Sequence, residues 1–168
     1  MTHFEDRFCP SCGQPLSVRH DGERDRKVCV AEGCGRVLYD NPTPVVAAIV
    51  ERAGCVVLAR AHHFPEKWFG LVTGFLERGE SPDEGVLREV KEELGLDATL
   101  VELIGVYPFV PMNQVIIAYH VRAEGPIAMG DELAAVKEVP LEKLRPWPMG
   151  TGDAVRDFLA RRAGIARS

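Results

Sequence analysis

The sequence predicts an α/β fold, an α/β/α sandwich with a mixed sheet that follows a small cysteine-bearing N-terminal segment. Two observations lead to this prediction: β-rich runs separated by turn signals fill the middle of the chain, and two helical segments are placed to cover opposite faces of one sheet. The 168 residues suit one medium domain with a small appendage. Pro42 and Pro44 hold the chain extended after Asn41, which predicts domains at residues 1–41 and 42–168.

The N-terminal segment contains two close cysteine pairs, Cys9 with Cys12 and Cys29 with Cys34. Pairs at this spacing are typical of a tetrahedral Cys₄ zinc site, which predicts a zinc ribbon. Two disulfides are the alternative, but disulfides are rare in intracellular proteins. About forty residues are too few to form a large hydrophobic core, so such a segment needs a cross-link or a bound metal to be stable. The zinc is therefore expected to be structural.

A nucleic-acid contact is the alternative role for this segment. A run of basic residues lies within residues 19–27, but acidic residues alternate with them. Such a mixed run is typical of a solvated hairpin tip rather than of a nucleic-acid patch.

The remaining elements follow from hydrophobic periodicity. Ala53 and Gly54 lie between two β-rich runs and indicate a hairpin turn. Trp68 and Phe69 are expected to be packing residues of core and loop. A closing helix is predicted over Gly152–Arg162, where apolar residues recur at helical spacing. Strands are predicted at 45–51, Cys55–Ala61, 72–76, 99–107, 115–122 and 133–139.

The first helix carries clear start and stop signals. Ser81 is a typical N-cap, Pro82 suits the first helical position, and Glu84 completes a capping box. Gly95 is a typical C-cap. A helix is therefore predicted between Ser81 and Gly95.

One arc of this predicted helix is acidic. At about 100° per residue, Glu89, Glu92 and Glu93 fall side by side, next to an apolar stripe. Such crowding raises the electrostatic free energy unless a cation lies among the carboxylates, which favours a divalent cation that carries a phosphate-containing substrate. A solvated acidic face is the alternative. Gly85 lies in the same arc and would let a ligand approach, and Arg88 on its flank would orient a carboxylate.

The spacing of these residues identifies a motif. Residues 74–96 match G-x5-E-x7-R-E-U-x-E-E-x-G-U, with U apolar, at every fixed position. This segment resembles the complete Nudix box. The Nudix family hydrolyses nucleoside diphosphates linked to another group X, and the resemblance also implies the α/β/α sandwich.

The resemblance implies roles for six residues. Glu89, Glu92 and Glu93 would bind Mg²⁺ or Mn²⁺. Arg88 and Glu80 would support the loop–helix–loop, and Gly74 would let the chain turn beside the metal.

The chemistry agrees with the motif. Mg²⁺ takes carboxylate oxygens and keeps waters and phosphate oxygens in its shell, and a bound metal lowers the pKa of a water. We assign Glu93 as the base that deprotonates the attacking water. A base from a loop outside the motif is the alternative.

A zinc ribbon ahead of a Nudix box resembles the NADH pyrophosphatase branch of the family. That resemblance implies cleavage of NADH between its phosphates, or of a related substrate such as ADP-ribose, by a homodimer. Two features depart from the branch pattern. Residues 104–113 keep Pro108, Phe109 and Pro111 of the signature S-Q-P-W-P-F-P-x-S but lack its Ser-Gln and Trp.

The second departure concerns a metal-binding glutamate outside the box. The branch carries this residue three positions after an acidic-Leu pair. Glu132 and Leu133 match the pair, but the glutamate position falls on Ala135. Glu132 or Glu138 would then replace it, or the metal set is smaller.

Two aromatic residues are candidates for the substrate base. Tyr107 and Phe109 would stack an adenine or nicotinamide ring. Core aromatics at a strand end are the alternative.

Composition limits the partners. A net charge of −5 and a pI near 5.6 argue against binding of long nucleic acid, but not against nucleotides held through a metal. The sequence has no apolar run of membrane-spanning length and no signal-peptide core, so a cytoplasmic enzyme with no membrane partner is expected.

Other functions stay open at this level. The same fold would serve FAD, a dinucleoside polyphosphate or a nucleoside triphosphate. A non-catalytic nucleotide sensor is a further alternative, which the intact glutamate set disfavours. A zinc-ribbon nucleic-acid module is the last, and the acidic balance opposes it.

Overall fold

The computed structural model describes residues 7–20 and 22–164. The contacts within the chain separate into two compact units, Met1–Asn41 and Pro42–Ser168. Each unit has its own sheet and is described by itself.

The N-terminal unit is a small antiparallel sheet of β1 (Leu16–His20), β2 (Asp25–Cys29) and β3 (Val37–Leu38), in that order. β1 and β2 form a hairpin whose tip lies in the mixed-charge run, where the described tip residues are exposed. Its buried apolar side chains are Cys9, Val28 and Cys29. With so little apolar burial, this unit needs a further source of stability.

The C-terminal unit alternates strands and helices. In chain order it contains β4 (Thr43–Arg52), β5 (Cys55–Ala61), β6 (Val72–Phe75), α1 (Pro82–Leu94), β7 (Ala98–Phe109), β8 (Gln114–Ala123), β9 (Leu133–Pro140) and α2 (Gly152–Arg162). Short 3-10 turns follow β7 and β9.

These six strands form one mixed sheet. Its order is β7-β8-β4-β5-β9, and β6 pairs with the first half of β4. β4 and β8 run parallel, whereas the other pairs are antiparallel. β4 is central and its residues 45–50 are buried, which explains its continuous apolar sequence.

The sheet has a core on each face. One core packs Ile49 and Ile104 with Phe158 of α2. The other packs Val46 of β4 with Val90 and Leu94 of α1. The two helices therefore cover opposite faces, and the predicted α/β/α sandwich with a mixed sheet is confirmed.

The local signals of the helix and hairpin are also present in the structure. Ser81 and Glu84 form the capping box, and Gly95 adopts the left-handed conformation at the C-cap with φ 70°. Ala53 and Gly54 both have positive φ, as a two-residue hairpin turn with a right-handed strand twist requires.

Strand β7 is longer than predicted. It runs from Ala98 to Phe109 with register shifts near Glu102 and Leu103, because irregular pairing lets β7 stay hydrogen-bonded along β8. Within the described residues, none of the helices has the length and apolar character needed to cross a lipid bilayer.

Candidate active site and cysteine cluster

The candidate site forms where β6 leads through a loop into α1. The loop is held at both ends: the Leu76 amide donates to the Pro44 carbonyl at 3.2 Å, and the Ser81 amide donates to Glu84 Oε2 at 2.8 Å. The Glu77 amide donates to Glu80 Oε1 at 2.7 Å. The loop is thus fixed by its own backbone donors, which aim the Glu80 carboxylate at the helix.

Arg88 joins the loop to the helix. Its guanidinium donates two hydrogen bonds to Glu80, from Nε to Oε2 at 3.0 Å and from Nη2 to Oε1 at 2.7 Å. Such a two-pronged pair fixes orientation as well as distance. Hydrogen bonds from Arg88 and from the Glu77 amide lower the pKa of Glu80 to about 2, so Glu80 is ionised at neutral pH.

The same guanidinium also contacts the acidic arc. Nη1 donates to Glu89 Oε1 at 2.7 Å and to Glu92 Oε2 at 3.0 Å, and Nη2 donates to the Phe75 carbonyl at 3.1 Å. One cation therefore lies among three carboxylates and a carbonyl. Glu89 is nevertheless largely buried, and this burial raises its pKa against the opposing charge of Arg88.

Glu93 is in a different position. Among the described residues its carboxylate has no cationic partner. Burial raises the pKa of Glu93 to about 8, and the negative charges of Glu89, Glu132 and Glu92 add to the effect. A half-buried carboxylate facing three others is a site of strongly negative potential, and a bound cation would relieve it.

Glycines on either side of the arc explain how the carboxylates fit. A Cβ added at Gly74 would lie 1.8 Å from the Glu89 carboxyl carbon, so Glu89 packs directly on the backbone of β6. Gly74 lies within that strand rather than in a turn. Gly85 was expected to leave room for a ligand, but Glu80 Oε1 and Leu76 fill that space, at 2.9 and 3.0 Å from an added Cβ.

The structure separates the two candidates outside the motif. Glu138 lies on β9 and pairs with Arg52 at 2.5 Å. Glu132 lies just before β9, and its charge acts on both Glu89 and Glu93. The loop before it contacts the end of α1, because the Gly130 amide donates to the Glu93 carbonyl at 2.9 Å.

The aromatic candidates divide in a similar way. Tyr107 is 6% exposed, and its hydroxyl donates to Asp157 Oδ2 at 2.6 Å inside the core under α2. Phe109 is partly buried against the same core. A third aromatic was missed: Phe75 is 59% exposed and follows Gly74 directly. Its signal in the sequence was an aromatic residue adjoining the first glycine of the motif.

The four cysteines converge in the N-terminal unit. Within the described ranges they are the one group of His, Cys, Asp or Glu ligand atoms that all lie within 4.8 Å of one another. Cys9 Sγ lies 3.8 Å from Cys34 Sγ, and Cys12 Sγ lies 3.4 Å from Cys29 Sγ. Four sulfurs about 2.3 Å from a central zinc ion would lie ~3.8 Å apart, so the donor set fits tetrahedral zinc.

The four thiols influence one another's pKa. Although burial raises it, hydrogen bonds from the Ser11 and Cys12 amides lower the pKa of the Cys9 thiol to about 6. Against opposing backbone hydrogen bonds, the neighbouring thiols and burial raise the pKa of Cys12 to about 12 and also raise the pKa of Cys29. All five cysteines are free, so the disulfide alternative is not observed.

Comparison with known proteins gives two family matches. Residues 41–159 match the NUDIX domain family, and residues 7–40 match the family described as Nudix N-terminal, a zinc ribbon.

Relatives of known name align with nearly the whole chain. The NAD-capped RNA hydrolase NudC of Pseudomonas entomophila (strain L48) is 30% identical over 169 residues, which cover 96% of this chain and 59% of that protein. The protein of the same name from Pseudomonas aeruginosa (strain LESB58) is 31% identical over 166 residues, with 96% and 58% covered. The chain thus spans less than two thirds of the length of these relatives.

Solved structures share the fold. A Nudix hydrolase from Nitrosomonas europaea superposes with a TM-score of 0.77 at 24% identity, covering 94% of this chain and 93% of that one. An ADP-ribose pyrophosphatase from Streptococcus suis superposes with a TM-score of 0.59 at 19% identity, covering 76% and 96%. Since the family match covers most of the chain and the motif has the expected loop–helix setting, the chain belongs to the Nudix hydrolase family, with a Nudix-type zinc ribbon ahead of the Nudix domain.

Proposed function

We propose that this chain is a divalent-metal-dependent pyrophosphohydrolase that cleaves the diphosphate bond of a nucleoside diphosphate linked to X. The single observation that carries the proposal is the half-buried carboxylate of Glu93, whose pKa is raised by burial and by the negative charges of Glu89, Glu132 and Glu92, and which has no cationic partner among the described residues. An array of carboxylate oxygens of this kind suits a hard cation such as Mg²⁺ or Mn²⁺.

The proposed roles follow from the contacts. Glu89, Glu92 and Glu93 would hold the ion, which when bound neutralises charge on the diphosphate and lowers the pKa of a water. Arg88 and Glu80 hold the loop and helix in register, so that the glutamates keep their positions. Glu93 takes the proton of the attacking water.

Glu132 completes the set from outside the motif. It supports the acidic arc from the loop before β9, whereas Glu138 pairs with Arg52. We therefore propose that Glu132 is the additional ligand, in place of the position that Ala135 occupies.

The finer substrate proposal is an NADH-type or ADP-ribose-type molecule. Support comes from relatives named NAD-capped RNA hydrolase at about 30% identity. The exposed ring of Phe75 offers a stacking face for a base, as does Phe109 in our sequence-based proposal. Phe75 pairs with Val45, so its side chain points to the same face of the sheet as Phe109.

We propose that the four cysteines hold a structural zinc ion.

Four statements stay predictions: the homodimer, the cytoplasmic location, the domain boundary at residue 41 and the exclusion of long nucleic acid as a partner.

The catalytic proposal is tested with conservative variants. Glu92→Gln and Glu93→Gln should each lower turnover by about 10²-fold or more, because a metal supplies several kcal/mol of transition-state stabilisation. Glu142→Gln, on the exposed turn after β9, is the matched control and should retain turnover. Full activity in both site variants would refute the metal assignment.

Substrate class is tested by a panel of NADH, NAD, ADP-ribose, FAD and dinucleoside polyphosphates with Mg²⁺ or Mn²⁺, with products separated by chromatography. Mononucleotide products from NADH or ADP-ribose are expected. Tight binding without products would favour a sensor instead.

A further inference from the structure

The loop between β5 and β6 projects from the sheet on a fixed base. Ala59 and Gly70 exchange two backbone hydrogen bonds, each 2.9 Å, which bring the two ends of the loop together. The His62 amide then donates to the Glu132 carbonyl at 3.3 Å. We name residues 62–69 the aromatic loop.

This base adjoins the acidic arc. The Gly130 amide donates to the Glu93 carbonyl at 2.9 Å, and the Leu133 amide donates to the Gly130 carbonyl at 3.1 Å. With the bond from His62 to Glu132, a short run of backbone hydrogen bonds joins the aromatic loop to the end of α1. The loop is therefore held beside the candidate metal site by the segment that carries Glu132.

The loop exposes rings that no part of the fold uses. Trp68 is 57% exposed and Phe64 is 46% exposed, with the His63 ring 4.3 Å from that of Phe64. The sequence predicts Trp68 and Phe69 as packing residues, and only Phe69 packs, against the core and under Lys137 at 4.3 Å. Leaving a tryptophan in water forgoes a large hydrophobic gain, so two exposed aromatic rings in one loop, those of Phe64 and Trp68, indicate a binding surface.

We propose that the aromatic loop binds the X half of the substrate, with the indole of Trp68 stacked on a planar heteroaromatic ring of X. This proposal rests on the proposed function and narrows its substrate class to molecules with a ring at both ends. Phe75 is exposed at the end of β6, on the opposite face of the sheet from Gly74, and is the aromatic residue left for the nucleoside half. Stacking on an aromatic ring accepts any planar base.

The kinetic test uses substrates that differ in X. Trp68→Ala should raise KM for NADH about 10-fold or more while leaving kcat nearly unchanged, given what base stacking contributes. The same variant should change KM for ADP-ribose, whose X is a sugar, by less than about twofold. Trp68→Phe should restore most of the NADH affinity. Equal KM changes for both substrates, or none, would overturn the assignment.

The binding test uses the fact that the chain has two tryptophans, Trp68 and Trp147. In Trp147→Phe, the fluorescence of Trp68 should be quenched by an NAD analogue with a methylene group in place of the bridging oxygen. The equivalent ADP-ribose analogue should not quench it. Trp68→Phe, which reports only Trp147, is the matched control and should show no quenching.

The two proposals fail in different ways. If the wild-type chain hydrolyses no member of the panel, the proposed function is wrong, whatever the fluorescence shows. If the wild type is active but Trp68 is quenched by neither analogue, the aromatic loop is not a subsite. Quenching by both analogues would place the nucleoside ring on Trp68 and overturn the assignment to X.

Discussion

The four cysteines of the N-terminal unit and the three glutamates of α1 are both predicted metal-ligand sets, but the folded chain holds them differently. The cysteine sulfurs lie within 4.8 Å of one another and are drawn from two chain segments. The glutamates come from one helix. Arg88 lies between Glu89 and Glu92, while Glu93 faces other carboxylates.

This difference matches two uses of a metal. A closed set of four protein ligands leaves no position for a substrate, so it acts on stability. An incomplete carboxylate set leaves positions for water and phosphate, so it acts on chemistry. The N-terminal unit has few buried apolar side chains among its described residues, whereas the C-terminal unit has two hydrophobic cores.

Removing zinc should have the largest effect. Structural zinc contributes about 10–16 kcal/mol in small zinc domains, far more than this unit's apolar burial. Treating the full chain with a zinc chelator, or changing Cys12→Ser, should collapse the amide NMR signals of the N-terminal unit. Signals of the C-terminal unit should stay dispersed.

Cys55→Ser is the control for zinc removal, because Cys55 lies in β5 outside the cluster. It should keep one equivalent of zinc and the folded N-terminal signals. Well-dispersed N-terminal signals in zinc-free protein would contradict the proposal that zinc stabilises the fold of this unit.

Loss of the shared cation should come second. Arg88→Ala leaves Glu80, Glu89 and Glu92 without their common partner, and should lower the free energy of unfolding by about 2–4 kcal/mol. Urea unfolding measures this. Asp97→Ala, which removes an exposed pair with Lys91, should cost under about 0.5 kcal/mol. A similar loss of unfolding free energy in both variants would show that Arg88 contributes no more to stability than an exposed ion pair does.

The pH dependence should follow from Glu93. Its pKa is raised from an ordinary 4.5 to about 8, so the folded chain binds this proton more tightly than the unfolded chain does. The contribution of Glu93 to stability is therefore fully present below pH 4.5 and is lost as pH rises through 8.

Unfolding of the zinc-loaded chain in buffer without free Zn²⁺, Mg²⁺ or Mn²⁺ tests this pH effect. Glu93→Gln should be more stable than the wild type by about 1–3 kcal/mol at pH 8 and similar to it at pH 4.5. Saturating Mg²⁺ should raise wild-type stability at pH 8. A constant difference between variant and wild type across this range would contradict the buried-carboxylate account.

Glu132 offers the finest test. Glu132→Gln should lower kcat/KM by about 10-fold, as loss of a supporting ligand does. Glu138→Gln is its matched control and should stay within about twofold, because its side chain pairs with Arg52 away from the arc. Equal effects of the two variants on kcat/KM would contradict the assignment of Glu132, rather than Glu138, as the additional ligand.

Local sequence signals predicted the helix and its acidic face well. The caps at Ser81 and Gly95 and the placement of Glu89, Glu92 and Glu93 depend on neighbours within a turn or two, which the sequence prints directly. The cysteine cluster followed for a similar reason, since pair spacing restricts how the chain can surround a metal.

Long-range packing explains what local signals missed. Gly85 makes room for Glu80 and Leu76 instead of a ligand, because the loop folds back over α1. Tyr107 turns into the core, since α2 supplies Asp157 as its hydroxyl partner. Asp157 lies 50 residues from Tyr107, too far to be recognised from the sequence, whereas Glu80 lies within the motif and only the path of the loop brings it over Gly85.

The sequence by itself determined the family, the fold class and the caps of α1, and it predicted both sets of metal ligands, because each depends on residue type at fixed short spacing. Only the tertiary structure decided that Glu93 is half-buried among like charges, that the charge of Glu132 acts on Glu93 while Glu138 pairs with Arg52, and that Trp68 is exposed. The burial of a side chain and the charges around it depend on strands that pair across the sheet, such as β5 with β9. Residues that pair in this way are far apart in the sequence, so no local sequence pattern predicts which of them meet.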